Sequence, residues 1–336
     1  MLDLSVKYMG LQLKNPIIAG SSSMSQTVDD CMKLEDSGVA AIVMKSLFEE
    51  QIYIDAACQF LNKNEKNSGV VKYFETVDYI NNRIRREYLS SCLKTINNAK
   101  QKVQIPVIAS INCISSCGWT TFASKLQDAG ADAIELNIAV QSFDPIISAE
   151  VIEDLHLEII EKVRASVKIP VAVKISPYFS NISNMINSIS AMGVDGIVMF
   201  NRFINPDIDV ESMEITVADR FSSPSELSNT LRWIALKSDD VPCDLCAATG
   251  IHSGKDVIKI LLVGGAATQI VSTFHKNGLQ QVEVMLDEIK DWMQRKGYNN
   301  ISEFAGKMRH MKTDTPASYE RIQFMKYNHQ IDIAEQ

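Results

Sequence analysis

Short apolar runs alternate with longer polar segments along most of the chain. Four apolar runs are introduced by a proline: NPIIAG from Asn15, IPVIASIN from Ile105, IPVAVKIS from Ile169 and VPCDLCAATG from Val241. Four others follow a glycine: GVAAIVMK from Gly38, GADAIELN from Gly130, GVDGIVMF from Gly193 and GAATQIV from Gly265. The runs are continuous and do not alternate with polar residues, which is typical of parallel strands covered on both faces.

The two kinds of run alternate strictly, and the distance from each proline to the next glycine is nearly constant. That distance fits one strand, one loop and one helix that ends at a glycine C-cap. Eight such strands with helices between them predict an α/β fold, the (β/α)₈ TIM barrel. A doubly wound sheet is the alternative, but it gives no reason for eight strands in four equivalent pairs.

Two intervals are longer than the repeat requires. Residues 50–104 form a long excursion between strands two and three, and residues 201–230 form a loop insertion after strand six. We expect the second to be a loop or small β excursion over the active face, because long loops of this kind usually cover a site. The sequence predicts one barrel domain over residues 1–310. Residues 311–336 are predicted to be a helical C-terminal tail packed on the barrel.

The composition is that of an ordinary globular protein, with 46% hydrophobic and 22% charged residues. A net charge of −8 leaves no basic excess to neutralise phosphates, which argues against nucleic acid or an anionic membrane as the main partner. No apolar stretch approaches the roughly 20 residues of a membrane span, and the N-terminus does not resemble a signal peptide. Seven cysteines are an odd number without a secretory context, and Cys243 and Cys246 lack the second pair that zinc needs. We therefore expect a cytoplasmic protein with reduced thiols and no metal.

Polar residues stand where the predicted strands end, and barrel active sites are built at these carboxyl ends. They are Gly20, Ser21, Ser22, Lys45, Ser46, Asn112, Asn137, Lys174, Asn201, Thr249, Gly250, Ser272 and Thr273. Each one alone could cap a helix or reach solvent. Two lysines and three amides at one mouth indicate a planar ligand that is rich in carbonyls and ring nitrogens and carries negative charge.

The segment ATGIHSGKDVIKILL has a more specific pattern. Ser253, with Asp256 three residues later, resembles a capping box at the start of a helix. Barrels of this kind often bind phosphate in the loops after strands seven and eight, on helix N-terminal amides. Because no G-x-G-x-x-G motif follows a strand, a phosphate-bearing cofactor bound by the barrel fits better than a Rossmann nucleotide site. A merely well-capped helix is the alternative interpretation.

Together these residues resemble the dihydroorotate dehydrogenase family, and most of all its divergent dihydroorotate dehydrogenase-like members with a soluble flavin mononucleotide (FMN) barrel. The resemblance runs from YMGLQLKNPIIAGSS through KS, ELNI, PVAVKISPY, LRWIA and ATGIHSG to LLVGGAATQI. It implies an FMN-dependent oxidoreductase acting on CH–CH donors, which moves a hydride from dihydroorotate or a related small planar substrate to flavin N5 in pyrimidine biosynthesis. It also implies a cytosolic homodimer and an electron acceptor that the residues do not identify.

The resemblance places FMN across the strand ends. It implies that the flavin edge is contacted by Gly20, Ser21, Ser22, Lys45 and Ser46. Asn137 and Lys174 match family positions near the isoalloxazine, where Lys174 would stabilise negative charge on the reduced ring; Asn112 and Asn201 are further cofactor-binding candidates. The phosphate grip matches Thr249, Gly250, Ser272 and Thr273, helped by the loop of Ser222 and Ser223.

The loop after strand four departs from the family pattern. The family's N-x-S-C-P-N or a close relative carries a cysteine or serine that removes a proton from the substrate, whereas this chain has Asn137-Ile138-Ala139-Val140-Gln141-Ser142. Val140 therefore occupies the base position and cannot take a proton, and Ser142 replaces the second asparagine. The family's glycine-rich substrate loop is also not recognisable between Glu50 and Asp78, and Val271-Ser272 replaces the glycine-threonine of strand eight. The candidates for catalytic roles are Lys45, Asn137, Ser142, Cys113 and Tyr178.

Different functions remain open on these residues. The first is hydride transfer between dihydroorotate and FMN; its variant reduces another cyclic amide or enoate and takes the proton from water or a tyrosine. The second is a flavin-binding barrel without turnover, kept as a carrier, sensor or partner subunit. A phosphate-ligand lyase or isomerase barrel is disfavoured by the lysine and asparagine pattern. Bound FMN, and its response to dihydroorotate, would discriminate between them.

Overall fold

The computed structural model describes residues 2–48, 89–113, 119–138, 140, 144–313 and 316–320. Strands are numbered in chain order, and eight of them form the parallel barrel: β3 (Ile17–Ala19), β4 (Ala41–Val43), β6 (Val107–Cys113), β7 (Ala133–Ile138), β8 (Val171–Ile175), β9 (Gly196–Met199), β12 (Asp244–Ala248) and β13 (Ala267–Ile270). Each pairs in parallel with the next, and β13 pairs with β3 to close the circle. The predicted (β/α)₈ barrel is confirmed, with every barrel strand in the segment that the apolar pattern indicated.

An N-terminal hairpin fills the inside of the barrel away from the strand ends. It consists of β1 (Val6–Tyr8) and β2 (Leu11–Leu13). Tyr8 packs in one buried cluster with inward-facing barrel residues such as Cys246, and burial raises the pKa of the Cys246 thiol. A side chain at Gly196 would crowd the Tyr8 ring, so the glycine makes room for it. The hairpin therefore fills the inside of the barrel at this end.

Three further strands lie along the rim. β5 (Leu47–Phe48) extends the sheet beside β6. β10 (Pro206–Asp209) and β11 (Glu214–Val217) form an exposed antiparallel hairpin within the insertion after the sixth barrel strand. The predicted β excursion therefore exists. The excursion between strands two and three is described only from residue 89 onward.

Helices cover the outside of the barrel and pack on it through buried apolar residues such as Ile159 and Ile160. They are α1 (Val28–Asp36), α2 (described at 89–102), α3 (Trp119–Asp128), α4 (Ala149–Ser166), α5 (Ile182–Ala191), α6 (Leu227–Lys237), α7 (Gly254–Leu262), α8 (Ser272–Asn277), α9 (Gln281–Lys296) and α10 (Ala317–Glu320). Short 3₁₀ helices occur at Ser23–Ser25, Pro224–Glu226, Ile301–Glu303 and His310–Lys312. Among the described helices, none is both long and apolar enough to cross a membrane.

The regular alternation of strand-opening prolines and helix-ending glycines has a physical cause. The first amide after a strand-opening proline donates to an aspartate before the next strand: Val107 N to Asp132 Oδ2 over 2.7 Å, and Val171 N to Asp195 Oδ2 over 2.9 Å. The glycines after the helices have positive φ, as a C-cap requires. In the last repeat the prediction was wrong by one residue, because Gly264 and not Gly265 adopts the positive φ of 97°.

The described part of the C-terminal tail lies on helix α6. Arg232 Nε donates to the carbonyl oxygen of Tyr319 over 2.6 Å, and the Tyr319 hydroxyl donates to the Met308 carbonyl over 2.9 Å. The backbone and the side chain of Tyr319 each make a hydrogen bond that attaches residues 317–320 to the barrel. The predicted domain boundary stays a prediction, because residues 321–336 lie outside the described part of the chain.

Candidate active site

A cavity of about 740 Å³ opens at the carboxyl ends of the barrel strands; we call it the main cavity. Each of the eight barrel strands, or the loop that follows it, contributes to the lining, and so does helix α8. Most of the predicted strand-end residues line it: Ser21, Ser22, Lys45, Ser46, Asn112, Asn137, Lys174, Asn201, Ser222, Thr249, Gly250 and Ser272. The fold thus brings together residues that are up to 251 positions apart in the sequence, from Ser21 to Ser272.

A buried ion pair lies at the inner end of the main cavity. Lys174 Nζ donates to Gln269 Oε1 over 2.9 Å and stands 4.0 Å from Glu135 Oε1. The other Glu135 oxygen accepts a hydrogen bond from Gln269 Nε2. Glu135 is only 1% exposed, and its Oε1 has no hydrogen-bond partner among the described residues. The carboxylate and the amide therefore hold the ammonium of Lys174 in place, where its charge can stabilise an anionic ligand.

Amide side chains surround this lysine. Asn201 Nδ2 donates to Asn137 Oδ1 over 3.1 Å, which fixes both amide groups and leaves the Asn137 NH₂ and the Asn201 carbonyl for other partners. Asn112 is buried, and its Oδ1 has no hydrogen-bond partner among the described residues. A buried acceptor without a donor is costly, so this atom is suited to an N–H of a bound molecule.

A row of serine hydroxyls forms another wall of the main cavity. Ser21 Oγ accepts the backbone N–H of Ser46 over 2.9 Å, and Ser46 Oγ lies 2.7 Å from Ser110 Oγ. Lys45 Nζ does not join Lys174; it donates to Gln26 Oε1 over 3.2 Å nearer the surface. The two predicted lysines therefore have different surroundings, and only Lys174 belongs to the buried network.

The far end of the main cavity is a loop junction built around Ser222. Its backbone N–H donates to Ser272 Oγ over 3.0 Å, and its carbonyl accepts from Lys276 Nζ over 2.8 Å. Arg220 and His275 also line the cavity here, and the Phe221 ring stacks on the imidazole of His275 at 5.2 Å. Cationic side chains and hydroxyls at one end of a cavity suit a phosphate group.

His252 fixes the direction of the hydrogen bonds in this junction. Burial, together with the nearby charge of Lys276, lowers the pKa of His252 from its ordinary 6.5, which favours the neutral ring. The Thr273 hydroxyl donates to the Ile251 carbonyl, so its oxygen accepts from His252 Nδ1 at 3.3 Å. Nε2 then accepts from the Ser222 hydroxyl at 3.2 Å. The capping box of Ser253 and Asp256, which the sequence predicted, starts the helix that follows.

Two residues of this loop have left-handed backbone conformations. Thr249 has a φ of +74° and Gly250 a φ of +78°. A Cβ on Gly250 would come within 2.3 Å of the backbone nitrogen of Leu227, so the position also demands glycine on steric grounds. Thr249 is β-branched, and such residues rarely adopt this conformation. Strain of this kind collects at functional sites, where the surrounding structure maintains it.

The remaining predicted residues do not line the main cavity. Gly20 lies behind it, where a Cβ would be 2.9 Å from Val271 Cγ2. Thr273 is buried in the loop junction, and Ser223 Oγ pairs with Ser225 Oγ. Tyr178 is 67% exposed and lines a second cavity together with Val140. Ser142 and the side chain of Cys113 lie outside the described part of the chain.

Several cavity residues were missed at the level of sequence. Glu135 and Gln269 sit inside apolar strands, although Glu135 stands two positions before Asn137 and must face the same side of its strand. The spacing of two residues from Asn137 could therefore have identified Glu135 as a cavity residue. Arg202 and Arg220 come from the insertion after the sixth strand; Arg202 Nε also donates to Glu226 Oε2 over 2.9 Å. The composition of the insertion gives no sign of which of its residues turn inward.

Comparisons with known proteins agree with this architecture. Residues 3–293 match the sequence model of a family described as dihydroorotate dehydrogenase. The catalytic subunit of dihydroorotate dehydrogenase B (NAD(+)) from Thermoplasma volcanium is 23% identical over 320 residues, which cover 91% of this chain and 98% of that protein. Dihydroorotate dehydrogenase (fumarate) from Saccharomyces cerevisiae is 26% identical over 327 residues, with 91% and 98% covered. The chloroplastic dihydropyrimidine dehydrogenase (NADP(+)) of Arabidopsis thaliana is 22% identical over 329 residues, with 90% and 76% covered.

Proposed function

The chain belongs to the dihydroorotate dehydrogenase family, and on that premise we propose that it is an FMN-dependent oxidoreductase acting on a carbon–carbon bond of a small cyclic amide. Dihydroorotate is the first candidate substrate. The observation that carries the proposal is the two-ended main cavity, with Lys174 and three asparagines at one end and the cationic hydroxyl-rich loop at the other. Relatives named for dihydroorotate and for a dihydropyrimidine support the same substrate class.

The residues present fit FMN at both ends. The Asn112 Oδ1 acceptor, which lacks a donor among the described residues, suits a ring N–H. Lys174 suits the carbonyl-rich edge of a flavin that becomes negative on reduction. Ser222, Ser272 and Arg220 suit a phosphate. When bound, FMN would supply the hydride-accepting ring nitrogen, while the protein binds, orients and charges its surroundings.

The chain's own residues have distinct tasks in this proposal. Lys174 keeps its charge aimed into the cavity because Gln269 and Glu135 hold its ammonium. The hydrogen bond between Asn137 and Asn201 orients two amides toward a planar ligand. The neutral His252 holds the Ser222 hydroxyl by accepting its hydrogen bond at Nε2, which leaves the lone pairs of the serine oxygen for other donors. Each task is positioning or electrostatics, and none of them removes a proton from the substrate.

A second candidate reaction follows from Val140. Its aliphatic side chain stands where the family carries a proton acceptor, and it lines the second cavity beside Tyr178. Oxidation of dihydroorotate needs a base, whereas reduction of an activated alkene needs only a proton donor, such as water; Tyr178, the tyrosine considered for this role, lines the second cavity and not the main one. We therefore keep reduction of a cyclic amide or enoate as the alternative, with the electrons supplied through the same cofactor.

An anaerobic titration of the FMN-loaded protein tests the proposal. Bleaching of the flavin absorbance by dihydroorotate supports the first reaction. If dihydroorotate has no effect, the flavin is reduced chemically and uracil or a small enoate is added; recovery of the absorbance supports the second. Lys174→Met serves as the altered variant and should slow either reaction, whereas Lys290→Met, an exposed lysine on α9, should not. If the flavin responds to none of these compounds, the remaining interpretation is a flavin-binding barrel without catalytic activity.

Acceptor, assembly and location follow as further parts of the proposal. NAD⁺, fumarate and a quinone are the acceptors to offer to the reduced protein, because two relatives are named for the first two. We propose a homodimer in the cytoplasm, as the family resemblance implies, and a role in pyrimidine biosynthesis if dihydroorotate is oxidised. Sedimentation of the FMN-loaded protein measures the mass of the assembly directly.

A further inference from the structure

A second cavity of about 300 Å³ lies beside the main one. Its lining comes from the ends of two barrel strands, from helix α4 and from the insertion. Aliphatic and aromatic side chains such as Ile138, Val140, Ile152, Phe179 and Phe203 lie beside a few polar ones. Phe203 lines both cavities, so its ring stands between them. A volume of this size accommodates a substituted single ring, because an apolar protein cavity of about 150 Å³ already binds benzene.

One buried imidazole supplies a polar contact in this cavity. His156 is 2% exposed and its ring lines the cavity. Nδ1 lies 2.7 Å from the carbonyl oxygen of Ile152, one turn earlier on the same helix. A carbonyl only accepts, so Nδ1 carries the hydrogen. Nε2 is at the end of the ring remote from the helix, and it has no hydrogen-bond partner among the described residues.

The protonation state of His156 makes Nε2 an acceptor. Burial lowers the pKa of His156 below its ordinary 6.5, against the opposing effect of the Ile152 hydrogen bond. The ring is therefore neutral at neutral pH, with its hydrogen on Nδ1 and a lone pair on Nε2. Because His156 lines the cavity, a ligand that supplies an N–H or O–H can satisfy this lone pair.

The charges of the two cavities differ. The main cavity contains Lys174, Arg202 and Arg220 and suits anionic groups. The second cavity, within the described residues, has Glu153 as its one formally charged side chain at neutral pH. A negative charge beside an apolar lining disfavours an anion, and no described carboxylate contacts His156. The aliphatic and aromatic side chains around Glu153 make the burial of a charge of either sign costly, so we expect a neutral occupant.

We propose that the second cavity is a binding site for a neutral ring bearing one hydrogen-bond donor, such as a phenol or a cyclic amide, whose O–H or N–H is accepted by His156 Nε2. The ring packs between the aliphatic side chains and Phe179, whose ring meets the imidazole edge-on at 5.2 Å. The site is distinct from the proposed FMN site and does not depend on it. An occupant would rest against Phe203 and thereby adjoin the main cavity.

Phenol and anisole are the matched probes, because they share the ring and differ in the donor. Calorimetric titration of the full-length protein should show phenol binding about tenfold more tightly than anisole, the worth of one hydrogen bond. In His156→Phe, which keeps an aromatic ring but removes the acceptor, the ratio should fall to about one. His310→Phe is the control, because its Nε2 pairs with Glu320 away from both cavities; the ratio should stay at about ten.

Nuclear magnetic resonance of the protein labelled with ¹⁵N-histidine gives a test that needs no variant. The His156 Nε2 signal should move on addition of phenol and stay in place with anisole. Equal affinities for the two probes, or a phenol preference that survives in His156→Phe, would overturn the proposal. Phenol bound in the main cavity instead would change the visible flavin spectrum without moving the His156 signal, which also overturns it. Flavin content and substrate reduction are measured separately, so failure of the proposed function is recognised independently.

Discussion

Neutralising Glu135 alone should destabilise the barrel, and removing the Lys174 charge as well should restore much of the loss. In Glu135→Gln the ammonium of Lys174 stays buried without its carboxylate, although the new amide can still contact Gln269. In Lys174→Met the carboxylate stays buried without its cation. Breaking a buried pair from one side costs about 3–5 kcal/mol. The double variant leaves neither charge uncompensated.

The size of the coupling follows from the geometry. At a separation of 4.0 Å, two unit charges interact by about 4 kcal/mol at an effective dielectric constant near 20. The side chains are 11% and 2% exposed, so solvent screens them little. The free-energy cost of the double variant should therefore fall short of the sum of the single costs by at least about 2 kcal/mol.

Urea unfolding of the four proteins, all without added FMN, measures the cycle. Omitting the cofactor matters because binding would stabilise the folded state of each variant to a different extent. The control cycle uses Asp287→Asn and Lys290→Met, an exposed pair with a 2.8 Å contact, where coupling below about 0.5 kcal/mol is expected. Costs at Glu135 and Lys174 that add within about 0.5 kcal/mol would refute a charged, coupled pair.

Further predictions concern backbone, titration and strand anchoring. Gly250→Ala should cost several times more in unfolding free energy than Gly193→Ala, since both have positive φ but only the first would place a Cβ against backbone; similar costs would contradict the steric argument. The folded protein holds the pKa of His156 below its ordinary 6.5, so protonation of this ring favours the unfolded state. The contribution of the neutral ring to stability is full above pH 6.5 and is lost as the pH falls through the pKa of the folded state. His156→Phe should reduce the pH dependence of urea stability in that window by up to about 1.4 kcal/mol per unit; an unchanged slope would exclude this origin. Asp195→Ala should cost about 1–3 kcal/mol by leaving a buried strand amide unpaired; loss below 0.5 kcal/mol in thermal unfolding would show that the amide finds another partner.

The barrel could be predicted because its signals are local. A proline that opens a strand and a glycine that ends a helix act within a few residues, so their alternation is visible in the sequence. The prediction placed the helix C-cap glycine at Gly265 instead of Gly264, which is an error of one residue. Either of two adjacent glycines can adopt the left-handed conformation, and the packing of the loop decides which one does. The strand-end residues followed from the rule that parallel strands present their carboxyl ends on one side.

The rest of the site depends on contacts between distant segments. Glu135, Lys174 and Gln269 lie on three different strands, and only the closed barrel brings them together. The left-handed φ of Thr249 runs against the preference of its β-branched side chain, so local propensity could not predict it. The pocket of His156 arises where a helix, two strand ends and the insertion meet. No single segment of the sequence therefore contains a pattern that predicts this cavity.

Binding of FMN tests the central proposal most directly, because every proposed reaction requires it. The purified protein is treated to remove bound flavin, titrated with FMN, and followed by the quenching of flavin fluorescence, with riboflavin as the matched probe that lacks the phosphate. The account predicts one FMN per chain and much weaker binding of riboflavin, since the Ser222 and Ser272 junction would have lost its ligand. A protein that binds neither flavin, or both equally, would contradict the assignment of the main cavity.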